Sequence, residues 1–469
     1  MAKITAKDCS PFYVGKDKEK RIDVDNPNNK LLQKFILSVS PINIYGDNSR
    51  QYDEDSKLAY SPWESHQLDD GTRAWFAGRY IGTSFIDNNE IIIEPRFGIT
   101  WLSYLADEVF HFRFINDNSK NNTKGKLNEL YKQLFWSIWI RKFAEADIYG
   151  LPRQTVKHTQ TGMQIRGRLN AYKSIIPLFT KQKVVSEYRE KELDDGICRI
   201  VYKAYDLLAR NSRINMQPPQ QIQESINTLY SRYHGEVINV TAHDYQSISY
   251  KNIYQSWKPL VDFSWQIINN LLQSTKAGGK GFSIFLDVAE IWESFLRKKL
   301  GEAFSSDGWR VLSVEECHYG IYQDSFFKRE IIPDIILQKG DEYMVFDAKY
   351  KRMLGRKEDV DRTDLFQIHT YIQYIEHCMG EVVLAGLLYP ITDKEFKDSD
   401  KNLYHSTNLF GAEKGKEKEI RFIIDGIYCK EMDNDIIDKS SIESQQEIIE
   451  NNVAAMINRI KKNIGEITE

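Results

Sequence analysis

The chain has 469 residues, 41% hydrophobic and 28% charged, with a net charge of -4. This allows roughly two to four domains and excludes a globally basic nucleic-acid binder, so any such contact must come from a local patch. Five scattered cysteines, Cys9, Cys198, Cys317, Cys378 and Cys429, show no C-x-x-C spacing, and the longest apolar run, Val382 to Tyr389, is short; a cytoplasmic protein without a zinc ribbon, membrane span or membrane partner is expected.

Residues 1–70 are polar and rich in Asp, Asn and Lys, with one candidate strand at Leu31 to Val39. Alternation predicts strands over Trp75 to Phe85 and Glu90 to Pro95, joined by Asp87-Asn88-Asn89. Helices are expected over Ile99 to Phe114 and Leu127 to Phe143, the second with apolar residues at helical spacing. Val184 to Arg210 reads as further helix of mixed charge, broken near Gly196. Gln220 to Tyr233 and Tyr254 to Ser274 read as two more. Ala277 to Gly281 is a Gly-rich linker without the GxxxxGK[ST] spacing of a phosphate loop, so no nucleotide motor is visible.

Beyond the linker the expected order is helix (Phe285 to Leu300), strand (Trp309 to Cys317), hairpin, helix (Asp361 to Met379) and buried strand (Val382 to Leu388). Ile420 to Tyr428 adds a strand, and Ile448, Ile449, Val453, Met456, Ile457, Ile460 and Ile464 mark a terminal amphipathic helix for core packing.

The hairpin carries the chemistry. Pro333-Asp334-Ile335-Ile336-Leu337 leads through a Gly turn into Tyr343-Met344-Val345-Phe346-Asp347-Ala348-Lys349. Strand side chains alternate, so Asp347 and Lys349 share a face. Asp334, early in the partner strand, can reach the same spot. Two carboxylates beside an ammonium suit metal-assisted phosphodiester hydrolysis: hard oxygens hold Mg²⁺, and the ammonium steers water or offsets phosphate charge. The bland alternative is a surface ion pair on a hairpin.

Glu290 and Glu293 on the preceding helix are candidate further metal acids. Glu293 is preferred, because it sits at the edge of the apolar face while Glu290 reads as more exposed. On the following helix, Gln367 stands three residues after Asp364 and four before Tyr371. A water- or phosphate-positioning role for Gln367 is as open as a capping role. Lys351, Arg352, Arg356 and Lys357 form the densest basic run, placed where a DNA backbone would pass, though such runs are often just solvated. His369 and His377 are too far apart for a compact zinc pair.

The P-D…D-x-K pattern resembles the restriction-endonuclease-like superfamily. More specifically, Trp292 to Phe295, Pro333-Asp334, Asp347 to Lys351 and Asp364 to Gln367 resemble the nuclease domain of the McrC family, the cleavage subunits of McrBC-type restriction systems. Upstream, Ile93 to Ile99, Ile165 to Leu169, and Tyr188 to Asp194 with Arg199 and Ala204 are similar to the same family. The likeness runs from about residue 70 to 430; residues 1–70 and 392–418 depart from it.

That resemblance implies an α+β multidomain chain. Residues 1–160 would be a partner-docking region, β-rich then helical, and 161–277 a mainly helical middle. Residues 278–440 would be the PD-(D/E)xK endonuclease core, an α/β fold, and 441–469 a terminal helix. It also implies catalytic Asp334, Asp347, Lys349 and Gln367, and Mg²⁺ (or Mn²⁺) on Asp334, Asp347 and Glu293. Lys351, Arg352, Arg356 and Lys357 would contact double-stranded DNA. The partner would be a McrB-like AAA+ GTPase hexamer that binds GTP itself. Arg96, Arg166 and Arg168 are candidates for partner or nucleotide contact, with a structural ion pair the alternative for each. Alternatives are a non-catalytic ring-docking adaptor and GTPase activator, or a stand-alone Mg²⁺ nuclease.

Overall fold

The computed structural model describes residues 3–14, 20–21, 32, 44, 64–67, 73–86, 89–111, 123–211, 218–276, 284–317, 319–321, 329–351, 360–391, 405–408, 420–429 and 439–465. Two compact units divide the chain, one of Met1–Ser137 with Asn269–Glu469, the other of Ile138–Ile268.

The first unit begins with β1 (Lys3–Lys7), β2 (Tyr13–Val14), β3 (Lys20–Arg21), β4 (Glu64–Gln67), β5 (Arg73–Phe76), β6 (Tyr80–Ile86) and β7 (Asn89–Glu94). Helix α1 (Gly98–Phe110) follows, and α2 (Thr123–Ala146) starts in this unit. One expected strand is therefore two, β5 and β6, separated at Gly78, whose φ of 54° favours glycine. Strand β1 runs parallel to β7, pairing Lys3 to Lys7 with Glu90 to Glu94. The whole sheet has the order β11-β6-β7-β1-β2-β3. Its strand β11 (Ile284–Asp287) comes from after the linker, where a helix was expected to have begun. Helix α8 (Val288–Ser305) starts only after Asp287, whose carboxylate accepts from the Ala289 N–H at 3.0 Å and caps it.

The second sheet of this unit holds the hairpin. After β12 (Arg310–Val311), β13 (Tyr319–Ile321) and β14 (Arg329–Ile331) come β15 (Ile335–Lys339) and β16 (Glu342–Ala348). The strand expected over Trp309 to Cys317 shrinks to β12 and a 3₁₀ turn at Glu315–Cys317. Then come α9 (Arg362–Cys378), β17 (Glu381–Ile391), β18 (His405–Asn408), β19 (Arg421–Tyr428) and α10 (Lys439–Gly465). The order is β12-β15-β16-β17-β19-β18, with a parallel centre β16-β17-β19 and antiparallel flanks. Gly340, at φ 60°, turns the hairpin.

Odd-numbered residues of β16, Tyr343 and Val345, join Ile368, Tyr371, Ile372 and Ile375 of α9 in one apolar cluster. The opposite face meets α8 and α10. On α10, Ile449, Val453, Met456 and Ile460 are buried as the period requires, while Ile448 is exposed.

The second unit contains the antiparallel sheet β8-β10-β9, formed by β8 (Arg153–Gly162), β9 (Arg168–Leu169) and β10 (Val184–Leu193). Around it are α3 (Ala171–Lys181), α4 (Asp195–Asn211), α5 (Gln220–Tyr233), α6 (Ala242–Gln246) and α7 (Lys258–Lys276), the last ending in the other unit. Strand β10 corrects the helix expected from Val184. Its Glu, Arg and Lys favour helix in isolation, but ten residues pair with β8 from Val184↔Gly162 to Leu193↔Arg153. The helix begins at Asp195, and Gly196 lies in its first turn rather than breaking it. Trp139, Trp257 and Tyr233 centre the core, and Trp139 donates to Ser264 Oγ at 3.0 Å.

Helix α3 is different. Asn170 caps it by accepting from the Lys173 N–H. Ser174, its one buried residue, exchanges hydrogen bonds with the Val185 backbone at 2.8 and 3.2 Å. Its apolar residues Tyr172, Ile176 and Phe179 are 86%, 75% and 85% exposed. The strand expected at Leu31 to Val39 falls outside the described residues except Leu32, and the linker at Ala277 to Gly281 falls outside them entirely.

Candidate active site

Asp334 precedes β15, whose Ile335 pairs with Phe346, so the antiparallel register sets Asp334 across from Asp347. Asp334 Oδ2 accepts from the Ala348 N–H at 2.8 Å. Asp347 is fully buried. Its Oδ2 meets the Lys349 ammonium, and its buried Oδ1 accepts no hydrogen bond among the described residues. A buried carboxylate oxygen without a donor is costly. Burial raises the Asp347 carboxyl well above the ordinary range, and the neighbouring Asp334 carboxylate adds to this against the pull of Lys349.

Helix α9 completes the cluster. Lys349 Nζ donates to Gln367 Oε1 at 2.8 Å and lies 3.4 Å from Asp364. Gln367 in turn donates to the Tyr371 hydroxyl. Burial works against the Lys349 charge, but Asp347, then Asp364 and Asp334, outweigh it and raise its pKa. The lysine is held as an ammonium. Asp364 is buried and accepts from Lys351 Nζ at 2.7 and 3.0 Å, while Asp361 accepts from the same ammonium at 2.7 Å. The spacing of Asp364, three before Gln367 and seven before Tyr371, is the sequence signal that it shares their face.

Helix α8 reverses one expectation. Glu290 is the buried glutamate, 8% exposed, and accepts from the Ile44 N–H at 2.6 Å; it is not the more exposed of the two. Apolar periodicity gave no view of Ile44, whose N–H meets the Glu290 carboxylate. Glu293 lies 3.9 Å from Arg297, whose Nη2 donates to the Asp334 carbonyl and Nη1 to the Leu312 carbonyl at 2.8 Å. Glu293 therefore reaches the site's edge through Arg297. It does not close with Asp334 and Asp347 into one cluster of ligand atoms within 4.8 Å.

A divalent ion fits the pair Asp334 and Asp347: both offer hard oxygens, and one buried oxygen lacks a donor. Mg²⁺ commonly keeps several waters and takes only one or two carboxylates. The tight ligand group found among the described residues, His158, Glu190 and Glu192, lies elsewhere. Its members are engaged by ion pairs, His158–Glu192 at 2.8 Å and Arg166–Glu190 at 3.4 Å.

Of the basic run, Lys351 is tied to Asp361 and Asp364, and Arg352, Arg356 and Lys357 lie outside the described residues. Arg166 and Arg168 are exposed on the second unit. Arg96 is 5% exposed, so it cannot present its side chain to a partner.

Residues 77–390 match the model of a family described as McrBC 5-methylcytosine restriction system component. The chain belongs to this McrBC family. The matched span contains Asp334, Asp347, Lys349, Gln367 and Glu293. No relative matches among the curated proteins. Among solved structures, a chain of the half-complex from the tetradecameric assembly of Thermococcus gammatolerans McrB AAA+ hexamers with bound McrC aligns at TM-score 0.46 and 16% identity, covering 96% of this chain and 99% of its own. A chain of the Thermococcus gammatolerans McrBC complex aligns at TM-score 0.34 and 16% identity, covering 64% and 88%.

Proposed function

We propose that this chain is the DNA-cleaving subunit of a McrBC-type restriction complex, and that the hairpin sheet is a PD-(D/E)xK endonuclease core. The observation that carries the reading is the buried Asp347 carboxylate, with one oxygen lacking a donor and the other on Lys349. A surface ion pair would be exposed and exchangeable; this one is sequestered where two carboxylates converge.

Asp334 and Asp347 would hold Mg²⁺, with Mn²⁺ able to replace it, and Glu293 would lie outside them, acting through Arg297 or water. Bound there, the ion would act as a Lewis acid and lower the pKa of a coordinated water. Lys349 acts as a charge donor. Its raised pKa disfavours a general-base role, and Asp347, Asp364 and Gln367 fix its ammonium where a phosphate oxygen gaining charge would need it. Gln367, braced by Tyr371, orients the lysine. Lys351 is engaged by Asp361 and Asp364, which leaves Arg352, Arg356 and Lys357 of the basic run to contact the DNA backbone.

The partner would be a McrB-like AAA+ GTPase. Family membership supports this, as does the lack of a GxxxxGK[ST] loop in the sequence. The exposed apolar residues of α3 suit a protein-covered surface. No helix among the described residues is long and apolar enough to cross a membrane.

The test is cleavage of methylated and unmethylated plasmid with Mg²⁺, by the chain alone and with its AAA+ partner and GTP. Cutting only in the full mixture is expected. Cutting by the chain alone would establish an autonomous nuclease, and a stable complex that never cuts would establish an adaptor.

A further inference from the structure

Asp8 and Arg96 follow the paired ends of β1 and β7, Lys7↔Glu94. Both are buried. They form an ion pair at 3.4 Å, and the Arg96 N–H also donates to the Asp8 carboxylate. The guanidinium lies between two rings, 4.6 Å from Phe97 and 4.7 Å from Tyr350. Its Nη2 donates to the Lys351 carbonyl at 2.9 Å. The Cys9 thiol donates to the Tyr350 carbonyl at 3.7 Å.

Tyr350 and Lys351 are the first residues beyond Lys349. The N-terminal sheet thus grips the chain as it leaves the D-x-K strand. From Lys351 the contacts continue: its ammonium meets Asp364, and Asp364 faces the Lys349 ammonium at 3.4 Å. A buried ion pair is seldom a net source of stability compared with apolar packing. Arginine's planar fork reaches a carbonyl while stacking on two rings, which lysine cannot copy.

We infer that Arg96 is a positioning residue of the hydrolytic site, holding the Tyr350–Lys351 backbone so that Lys349 and Asp347 keep their mutual geometry. This rests on reading Asp334, Asp347 and Lys349 as a metal-dependent centre.

The test compares full-length wild type, Arg96→Lys and Asp347→Ala for melting temperature, Mn²⁺ binding without DNA, and cleavage with the partner. Arg96→Lys should fold, bind Mn²⁺ about tenfold more weakly, and cut about 10- to 100-fold more slowly, as when outer supports of a metal site are lost. A merely structural role lowers the melting temperature and leaves the Mn²⁺ affinity of the folded protein unchanged; that result overturns the inference. If Arg96→Lys does not fold, Tyr350→Leu keeps an apolar side chain and removes one of the two rings that hold the guanidinium; weaker Mn²⁺ binding supports the inference and unchanged binding overturns it. Asp347→Ala separates the two readings. If it binds Mn²⁺ like wild type, the site itself is misassigned. If it loses Mn²⁺ while Arg96→Lys does not, only the role of Arg96 fails.

Discussion

The two units place their residues against the ordinary rule in opposite ways. The first buries charge: Asp8, Arg96, Asp347 and Asp364 are all 5% exposed or less. The second exposes apolar surface on and beside α3, with Met163 at 78% and Phe179 at 85%. Each departure costs stability in the isolated chain. Buried charge is useful where chemistry needs a preorganised, dry environment, and exposed apolar surface where another protein covers it. On the proposed reading, the buried charge of the first unit serves the chemistry and the exposed apolar surface of the second serves the AAA+ partner.

The most severe way to break this division is Asp347→Ala. Removing the carboxylate proposed to hold the metal should slow cleavage by at least about 10³-fold, with partner binding unchanged in a pull-down of the purified proteins. Lys349→Met should follow, at about 10²- to 10³-fold in single-turnover cleavage, and Lys349→Arg should not restore the rate, since a planar fork cannot reproduce the contacts that a compact ammonium makes with Asp347, Asp364 and Gln367.

The other side is tested by Ile176→Asp combined with Phe179→Asp. Affinity for the AAA+ partner should fall by about tenfold or more, measured by titration, while Mn²⁺ binding by the chain alone stays as in wild type. Unchanged partner affinity would remove α3 from the docking surface.

The smallest effect is on stability. Burial raises the folded-state pKa of Asp347, so its protonated form is the one the fold favours. That contribution is fully present below the unfolded value of about 3.9 and is lost as pH rises through the raised folded value. Metal-free protein should therefore melt at lower temperature as pH rises across that window. Asp347→Asn should flatten the trend and melt above wild type at neutral pH without metal. Mg²⁺ should stabilise wild type and leave Asp347→Asn unaffected.

What could be read in advance was local. The hairpin needs only period-two alternation and a Gly turn, so Asp334, Asp347 and Lys349 could be placed together from adjacent residues, as could Gln367 and Tyr371 from a spacing of four. Strand β10 was hidden because its charged residues favour helix, and only pairing with β8 makes it a strand. The burial of Glu290 depends on Ile44, 246 residues away, and the grip of Arg96 on Lys351 spans 255 residues. No local pattern encodes contacts at such separations.

The most direct measurement follows GTP hydrolysis and DNA cleavage together in the complex of Asp347→Ala with the AAA+ partner. GTP turnover as in wild type with no DNA cut is the predicted result. Cleavage at the wild-type rate would contradict the assignment of this site.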